Sequence, residues 1–207
     1  MKLVLKTFMF LILFSCEVKN DSDTNILLDE LYQEYITKNE LPVDEIGAIQ
    51  NPIYLADNGI TIKARDWAFV GDSGILNDVE YVIISRQQLR SKIVNGEDVT
   101  KVCTSRLYYL SGMLKGIQSF NQNISNWDTS NVIDMNQMFY GAASFNHNIS
   151  HWDTSNIIDM SSMFEGATSF NQDLSGWDVL YVTNCTGVFD NTGAWTLAKP
   201  NFTNCTP

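Results

Sequence analysis

The sequence is short of basic residues. It has 13 Lys and Arg residues against 24 Asp and Glu residues in 207, so its formal net charge is −11. Proteins that bind nucleic acid need a basic footprint, and proteins that dock electrostatically on anionic lipid need clustered Lys or Arg. The deficit argues against both kinds of partner. Its physical effect is solubility and mutual repulsion between chains.

Catalytic motifs are missing as well. The sequence has no G-x-S-x-G, H-E-x-x-H, P-loop or G-x-G-x-x-G run. Its two histidines, His147 and His151, have the i, i+4 spacing that suits a metal site on a helix. However, the pattern around them indicates an extended segment, and no carboxylate or cysteine joins them at ligand spacing. We therefore expect neither an enzyme nor a bound cofactor.

What the sequence does contain is a repeat of 25 residues. Three blocks follow one another at residues 120–144, 145–169 and 170–194, and the first two match at 18 of 25 positions. A fixed period of this length is typical of stacked repeat architectures. A weaker copy begins near Asp98, because shifting the pattern back by one period puts Val102, Leu110 and Leu114 at apolar positions.

Each block is predicted to hold a short strand and a short helix. In the middle block the apolar residues from Ile157 recur at i, i+3, i+6, i+7 and i+10, the spacing of one helix face. Gly166 then marks the helix end. The spacing between Phe145 and Trp152 indicates an extended segment. Neither element buries its apolar side alone, so successive blocks must stack. Stacking puts the repeated tryptophans in one column: Trp127, Trp152 and Trp177.

An aspartate follows each of these tryptophans: Asp128, Asp153 and Asp178. Such a residue can accept backbone N–H groups at a turn into the next segment. The alternative is a ladder of three carboxylates that holds a divalent cation. Stacked carboxylates about 5 Å apart repel each other by roughly 1 kcal/mol even in water. The turn role explains the aspartates without a ligand, and the cation ladder stays open.

The repeat resembles that of a known family. The run W-D-T-S-N-[VI]-x-D-M-x-x-M-F-x-G-A-x-S-F-N-x-[ND]-[IL]-S is similar to the repeats of the BspA-like leucine-rich-repeat surface proteins, over about half of the chain from Thr104 onward. The resemblance implies an α/β repeat solenoid that is right-handed, often lipid-anchored on bacteria and associated with adhesion. It implies no shared catalytic residues. Met, Phe and Trp replace most of the leucines here.

The N-terminus is predicted to be a lipoprotein signal peptide at residues 1–15. It has a basic start, an apolar run too short to span a membrane as a helix, and then Ser15 and Cys16. Leu13-Phe14-Ser15-Cys16 resembles the lipobox of bacterial lipoproteins, in which the cysteine thiol receives diacylglycerol. The alternative is an ordinary secretory signal with a chance cysteine. The acidic residues after Cys16 resemble the tethers of lipoproteins exported to the outer-membrane surface, which is the localisation we expect.

Several segments separate the anchor from the C-terminus. Residues 16–24 are predicted to be a polar tether and residues 25–40 a helix with one apolar face. Residues 51–97 are predicted to be a β-rich module that caps the first coil, because a stack otherwise exposes its core. The repeats occupy residues 98–195, and a C-terminal cap occupies residues 196–207. In the capping module we expect strands at 53–55, 60–62, 67–70 and 79–85, turns at 57–59 and 71–77, and a helix at 86–94.

Three cysteines remain besides Cys16: Cys103, Cys185 and Cys205. Export permits disulfides, and no C-x-x-C pair supports a zinc site. Cys185 and Cys205 both belong to the C-terminal end of the stack, where a bridge would hold the tail down and contribute roughly 3 kcal/mol in the chain-entropy model. Cys103 lies three repeat periods upstream of the aligned Asp178, which puts it roughly 15 Å from the last coil at about 5 Å per coil, out of reach of a bridge. We predict a Cys185–Cys205 disulfide and a reduced, partly buried Cys103.

The first functional hypothesis is a lipid-anchored surface module that binds an extracellular protein or glycan. Its side faces would present four exposed residues: Tyr140, His147, His151 and Tyr181. The second hypothesis is a structural or accessory lipoprotein of the cell envelope without a host ligand. The third is a hydrolase, for which no catalytic constellation is visible. The expected partners are a membrane, through the N-terminal lipid, and the unknown protein or glycan.

Overall fold

The structure is a computed structural model, and it describes residues 50–207. The signal peptide, the lipidated Cys16, the tether and the helix predicted at 25–40 lie outside the described residues. Asn51–Pro207 form one structural unit. Two clusters of buried side chains fill this unit, a large one that runs through the repeats and a small one beneath the first strands.

The first two strands form the predicted hairpin. Strand β1 (Ile53–Leu55) pairs antiparallel with strand β2 (Ile62–Ala64). The second strand begins two residues later than predicted because the Asn58 side chain holds the intervening residues in the turn. Its Oδ1 accepts the backbone N–H groups of Ile60 at 3.0 Å and Thr61 at 2.9 Å. Asparagine commonly closes turns in this way.

A three-stranded sheet follows the hairpin. Its strands, in spatial order, are β3 (Ser73–Leu76), β4 (Val79–Ile83) and β5 (Val102–Cys103). Strands β3 and β4 are antiparallel, whereas β4 and β5 are parallel. Because β5 belongs to the first coil, this sheet joins the N-terminal module to the repeats.

Two predictions for this region are wrong. Most of the turn predicted at 71–77 is strand β3, and the turn itself consists of Asn77 and Asp78. Both have positive φ, 51° and 62°, as a two-residue turn of type I′ requires. The strand predicted at 67–70 is a turn, because the Asp72 carboxylate accepts a backbone N–H from this segment at 2.8 Å.

Helix α1 (Arg86–Val94) has the bounds that the sequence predicts. Ser85 and Gln88 form a capping box at its start, in which each side chain accepts a backbone N–H of the other residue. Leu89 and Ile93 are its buried residues and belong to the large cluster of the repeats. The helix therefore packs on the first coil with one apolar face.

The repeats stack as coils joined by backbone hydrogen bonds. Single parallel β-bridges connect equivalent residues of successive coils: Tyr109, Asp134, Asp159 and Asn184. From each bridge onward, four N–H groups of one coil donate to four carbonyls of the next. Between the second and third coils, at distances of 2.7 to 3.0 Å, the donors are Met135, Gln137, Phe139 and Gly141. These bonds run in the same direction between every pair of coils.

The short helix predicted in each coil is wrong, because this segment is a run of turns. Gln137 and Ser162 would lie inside the helix, but their φ angles of 55° and 50° are closed to a right-handed helix. Their N–H groups point to the next coil instead of to a carbonyl of their own. The predicted extended segment from Phe145 to Trp152 is fully described and has no strand; the bridge of this coil lies at Asp159.

Stacked aromatic rings fill the coils. The rings of Trp127 and Trp152 lie 6.4 Å apart and nearly parallel, at 3°. Those of Phe139 and Phe164 lie 5.1 Å apart, also at 3°. The indole N–H of Trp152 donates to the Ile124 carbonyl of the preceding coil at 3.3 Å. This bond allows burial of a polar group that would otherwise be left without a partner.

Helix α1 closes the first end of the stack with two arginines. Within the stack, carbonyls of the turn segment accept N–H groups from the preceding coil. The first coil has the same carbonyls at Ser111 and Met113. They accept instead from Arg86 Nη2 and Arg90 Nη1, each at 2.6 Å. Two guanidinium groups, one helical turn apart, thus donate the hydrogen bonds that a preceding coil would donate to these two carbonyls.

The tail keeps the coil pattern further than predicted. The N–H of Thr196 donates to Asn171 Oδ1 at 2.8 Å, just as the N–H of Asn171 donates to Asn146 Oδ1 at 2.8 Å one coil earlier. Asn204 Nδ2 donates to the Leu180 carbonyl at 2.6 Å. The residues after Trp195 therefore begin a further coil rather than leave the stack.

A disulfide fixes this tail. Cys185 and Cys205, the pair that the sequence predicts, are bonded with their Cα atoms 5.8 Å apart. Phe202 packs on Phe189 with 6.0 Å between the ring centroids. Cys103 is free and fully buried, and this burial raises the pKa of its thiol above the ordinary value.

Replacing Trp152 by alanine should lower the free energy of unfolding by about 3–5 kcal/mol, because it removes a buried indole and opens a cavity between two coils. Urea unfolding of the two proteins measures this. The control is Ile158→Ala, at a side chain that is half exposed. A loss below about 1 kcal/mol for Trp152→Ala would contradict the buried column.

Replacing Arg90 by alanine should lower the free energy of unfolding by about 1–3 kcal/mol, because the carbonyl of the fully buried Met113 loses its donor. Lys92→Ala on the same helix is the matched control. Its ion pair with Glu97 is exposed and contributes little. Equal urea midpoints for the two variants would show that α1 does not cap the stack through Arg90.

Candidate binding surface

One side of the coils presents a row of large apolar side chains. Tyr108, Ile133 and Ile158 occupy the same position in the first three coils, and Leu180 and Tyr181 lie beside it in the fourth. We call these five residues the apolar row. The exposed fraction is 56% for Tyr108, 50% for Ile158, 57% for Leu180 and 63% for Tyr181, while Ile133 is half-buried.

The backbone holds the row at a fixed spacing. The N–H of Ile133 donates to the Tyr108 carbonyl, and the N–H of Ile158 donates to the Ile133 carbonyl, both at 2.9 Å. The neighbours Ile157 and Met160 are fully buried, so they occupy the core and leave Ile158 facing outward. The row is therefore exposed because of the way in which each coil buries its own core.

The fourth coil departs from the repeat where the row widens. Coils two and three carry Ser-Asn at this position, and the asparagine amide donates to a carbonyl of the preceding coil, as Asn156 Nδ2 does to the Ser130 carbonyl at 2.8 Å. Leu180 and Tyr181 replace this Ser-Asn pair. The sequence carried a signal for this site, since a polar pair becomes an apolar one inside an otherwise regular repeat.

Only one of the four predicted surface residues belongs to the apolar row. Tyr181 is in it, whereas Tyr140, His147 and His151 occupy three other positions of the coil. Tyr140 is half-buried, with Lys115 Nζ 4.9 Å from its ring centroid. The predicted set is therefore not one patch.

The two histidines repeat a contact that other residues make in other coils. His147 Nε2 lies 2.8 Å from the Asn121 carbonyl, and His151 Nε2 lies 3.1 Å from the Ser125 carbonyl. At the position of His147, the last coil has Gln172, whose Nε2 donates to the Asn146 carbonyl at 2.9 Å. At the position of His151, the second coil has Asn126, which donates to the Thr100 carbonyl at 2.8 Å. Both histidines thus link successive coils.

The three aspartates of the repeat take the turn role. Their Oδ1 atoms accept backbone N–H groups two residues further on, at 3.1 Å for Asp128, 3.1 Å for Asp153 and 3.0 Å for Asp178. Within residues 50–207, no group of three or more His, Cys, Asp or Glu side chains is arranged to hold a metal ion. Asp128 differs from the other two because it is buried and has Lys63 Nζ 3.6 Å from its carboxylate.

Lys63 reaches Asp128 because the β1–β2 hairpin lies against the second coil as well as the first. The N–H of Ile62 donates to the Asn126 carbonyl at 2.9 Å, and Lys63 Nζ donates to Ser130 Oγ at 3.1 Å. Arg106, in the first coil, donates in turn to the backbone carbonyls of the loop that follows the hairpin. The module predicted to cap the end of the stack therefore also lies along its side.

A cleft opens between the hairpin and the coils. Its volume is about 360 Å³. We call it the hairpin cleft, and its lining side chains come from the hairpin (Tyr54, Ala56, Asp57, Asn58, Thr61 and Lys63) and from coils two and three (Trp127, Asp128, Thr129, His151 and Asp153).

No helix formed by the described residues is long and apolar enough to cross a membrane.

Comparison with known proteins places the repeats in a family. No curated protein and no solved structure matches the chain. A family model matches residues 84–201, more than half of the chain, and this range holds helix α1, strand β5 and the coils. The chain therefore belongs to the family described as Mycoplasma protein of unknown function, DUF285.

Proposed function

We propose that the chain is a lipid-anchored bacterial surface module of the BspA-like repeat type, built as a right-handed solenoid, and that it binds a protein partner through the apolar row. The observation that carries this proposal is the row itself: large side chains stand exposed on a frame of backbone hydrogen bonds. Contiguous exposed apolar patches commonly mark interaction sites.

The composition of the row suits a protein interface. Tyrosine is enriched at interface cores because its ring buries a large area while its hydroxyl keeps a polar partner. Tyr108 and Tyr181 stand in the first and fourth coils, with Ile158 between them in the third. Because the backbone ladder fixes their spacing, binding orders little of this chain, which favours affinity.

Charge favours a particular kind of partner. The chain carries a formal net charge of −11, so a partner with a basic rim around its apolar contact is steered toward it.

The lipid on Cys16 supplies the other half of the proposal. It holds the module at the outer face of a bacterial membrane.

Returning coil four to the repeat sequence should abolish partner binding. The double substitution Leu180→Ser and Tyr181→Asn gives this coil the Ser-Asn pair of coils two and three, which those coils accommodate with hydrogen bonds of their own. We expect at least a tenfold loss of affinity for a partner found on an array of extracellular proteins and glycans, with unchanged urea stability.

Tyr140→Glu is the control for this experiment, since coil three carries Glu165 at that position and Tyr140 lies outside the row. It should bind as the unmodified chain does. Equal binding by the double variant would remove the row from the interface. An array without any partner would favour the alternative, an accessory envelope lipoprotein with no host ligand.

Replacing Cys16 by alanine should release the chain from the membrane fraction, because the acyl chains contribute about 0.8 kcal/mol for each buried CH₂ group. Fractionation and incorporation of labelled palmitate measure this. Ser15→Ala keeps a small residue before the cysteine and should leave lipidation unchanged. Label in the Cys16→Ala protein would show that the lipid is attached elsewhere.

A further inference from the structure

We infer that the hairpin cleft is a binding site for a single neutral sugar ring. The two walls of the cleft come from different parts of the sequence and are joined by direct hydrogen bonds. Ile62 N–H donates to the Asn126 carbonyl at 2.9 Å, and Lys63 Nζ donates to Ser130 Oγ at 3.1 Å. The site is thus preformed, as ligand sites usually are.

The volume sets the size of the ligand. About 360 Å³ lies near the lower limit of small-molecule sites, which run from roughly 300 to 1,000 Å³. One sugar ring fits such a space, whereas a folded peptide segment does not. The half-buried Tyr54 supplies an aromatic ring in the wall, a surface on which the C–H face of a sugar can pack.

The charges in the cleft select against anionic ligands. Lys63 and Asp128 lie 3.6 Å apart at its floor and offset each other. Asp57 and Asp153 remain at the rim and are exposed. An anionic ligand would be repelled by these two carboxylates, which the Lys63–Asp128 pair does not neutralise, and a cationic ligand is tested directly as a competitor.

The hydrogen-bonding groups fit a polyol. Asp153 uses Oδ1 for the turn, where it accepts from the N–H and hydroxyl of Ser155 at 3.1 and 2.6 Å. The other carboxylate oxygen can accept a further bond, because an ionised carboxylate has about four lone-pair sites. Lys63, whose ammonium donates to Ser130 Oγ and faces Asp128, has one further N–H to donate. A sugar hydroxyl both donates and accepts, so a ring carrying several of them can pair with both walls at once.

This inference rests on the proposed function in one respect, namely that recognition is what the coil face does. Each of the two proposals can nevertheless be disproved without disproving the other. Sugar binding is measured with free monosaccharides and no protein partner, and the apolar row plays no part in it. Conversely, loss of partner binding through the Leu180 and Tyr181 substitutions says nothing about the cleft.

The experiment titrates the purified full chain, held in a detergent without a sugar headgroup, with glucose, galactose, mannose and N-acetylglucosamine. Saturation-transfer NMR and calorimetry report binding. At least one sugar should bind saturably. Asp153→Asn should weaken that sugar at least tenfold, because the amide retains one acceptor oxygen for the turn but replaces the other with a donor. Asp178→Asn is the matched control, since Asp178 has the same turn role one coil further on, outside the cleft.

A second matched pair uses residues that the repeat already tolerates. His151→Asn gives coil three the residue of Asn126 and removes a ring from the cleft wall, so it should weaken the sugar. His147→Gln gives the residue of Gln172, lies outside the cleft and should not. The inference is overturned if no sugar binds saturably, if both members of a pair weaken binding equally, or if N-acetyl-lysine amide binds more tightly than every sugar.

Discussion

The coil-to-coil backbone ladder is the constraint on which the rest of this structure depends. A turn segment that points its N–H groups at the next coil cannot satisfy them within itself, so each coil needs a neighbour. Aromatic columns add apolar burial to this ladder, but the ladder fixes the register in which the rings meet. The ends of the stack then need substitutes, supplied by two guanidinium groups on α1 at one end and by a disulfide-bonded tail at the other.

Both proposed binding surfaces follow from this register. The apolar row exists because equivalent positions recur in successive coils with the same side facing outward. The hairpin cleft exists because an N–H of the hairpin joins a carbonyl of the second coil, outside the repeat pattern. Variation from coil to coil, as at Leu180 and Tyr181, changes the surface without changing the frame. This separation allows a repeat protein to alter what it contacts at little expense to its stability.

The sequence predicts the parts of this fold that depend on period and local chemistry. The tryptophan column, the bounds of α1 and the cysteine pair all follow from spacing and residue type. The turns could not be predicted in this way, because Met and Phe recur at helix-like intervals within a run of turns. Nothing in the residue types of Gln137 or Ser162 indicates a positive φ. The cleft could not be predicted either. Lys63 and Ser130 are 67 positions apart, and no pattern in the sequence links them.

The one-directional bonds of the turn segments also give the stack a polarity. In the four coil-to-coil bonds of each turn segment the donor faces the last coil and the acceptor faces the first, so the dipoles of these peptide groups point the same way along the stack. Two copies meeting by their last coils would set donors against donors, and such a contact gains no hydrogen bonds. Only head-to-tail growth of a filament could extend the ladder, and Arg86 and Arg90 already occupy two of the four acceptors that it would use. The helix that completes the fold therefore also protects it against polymerisation.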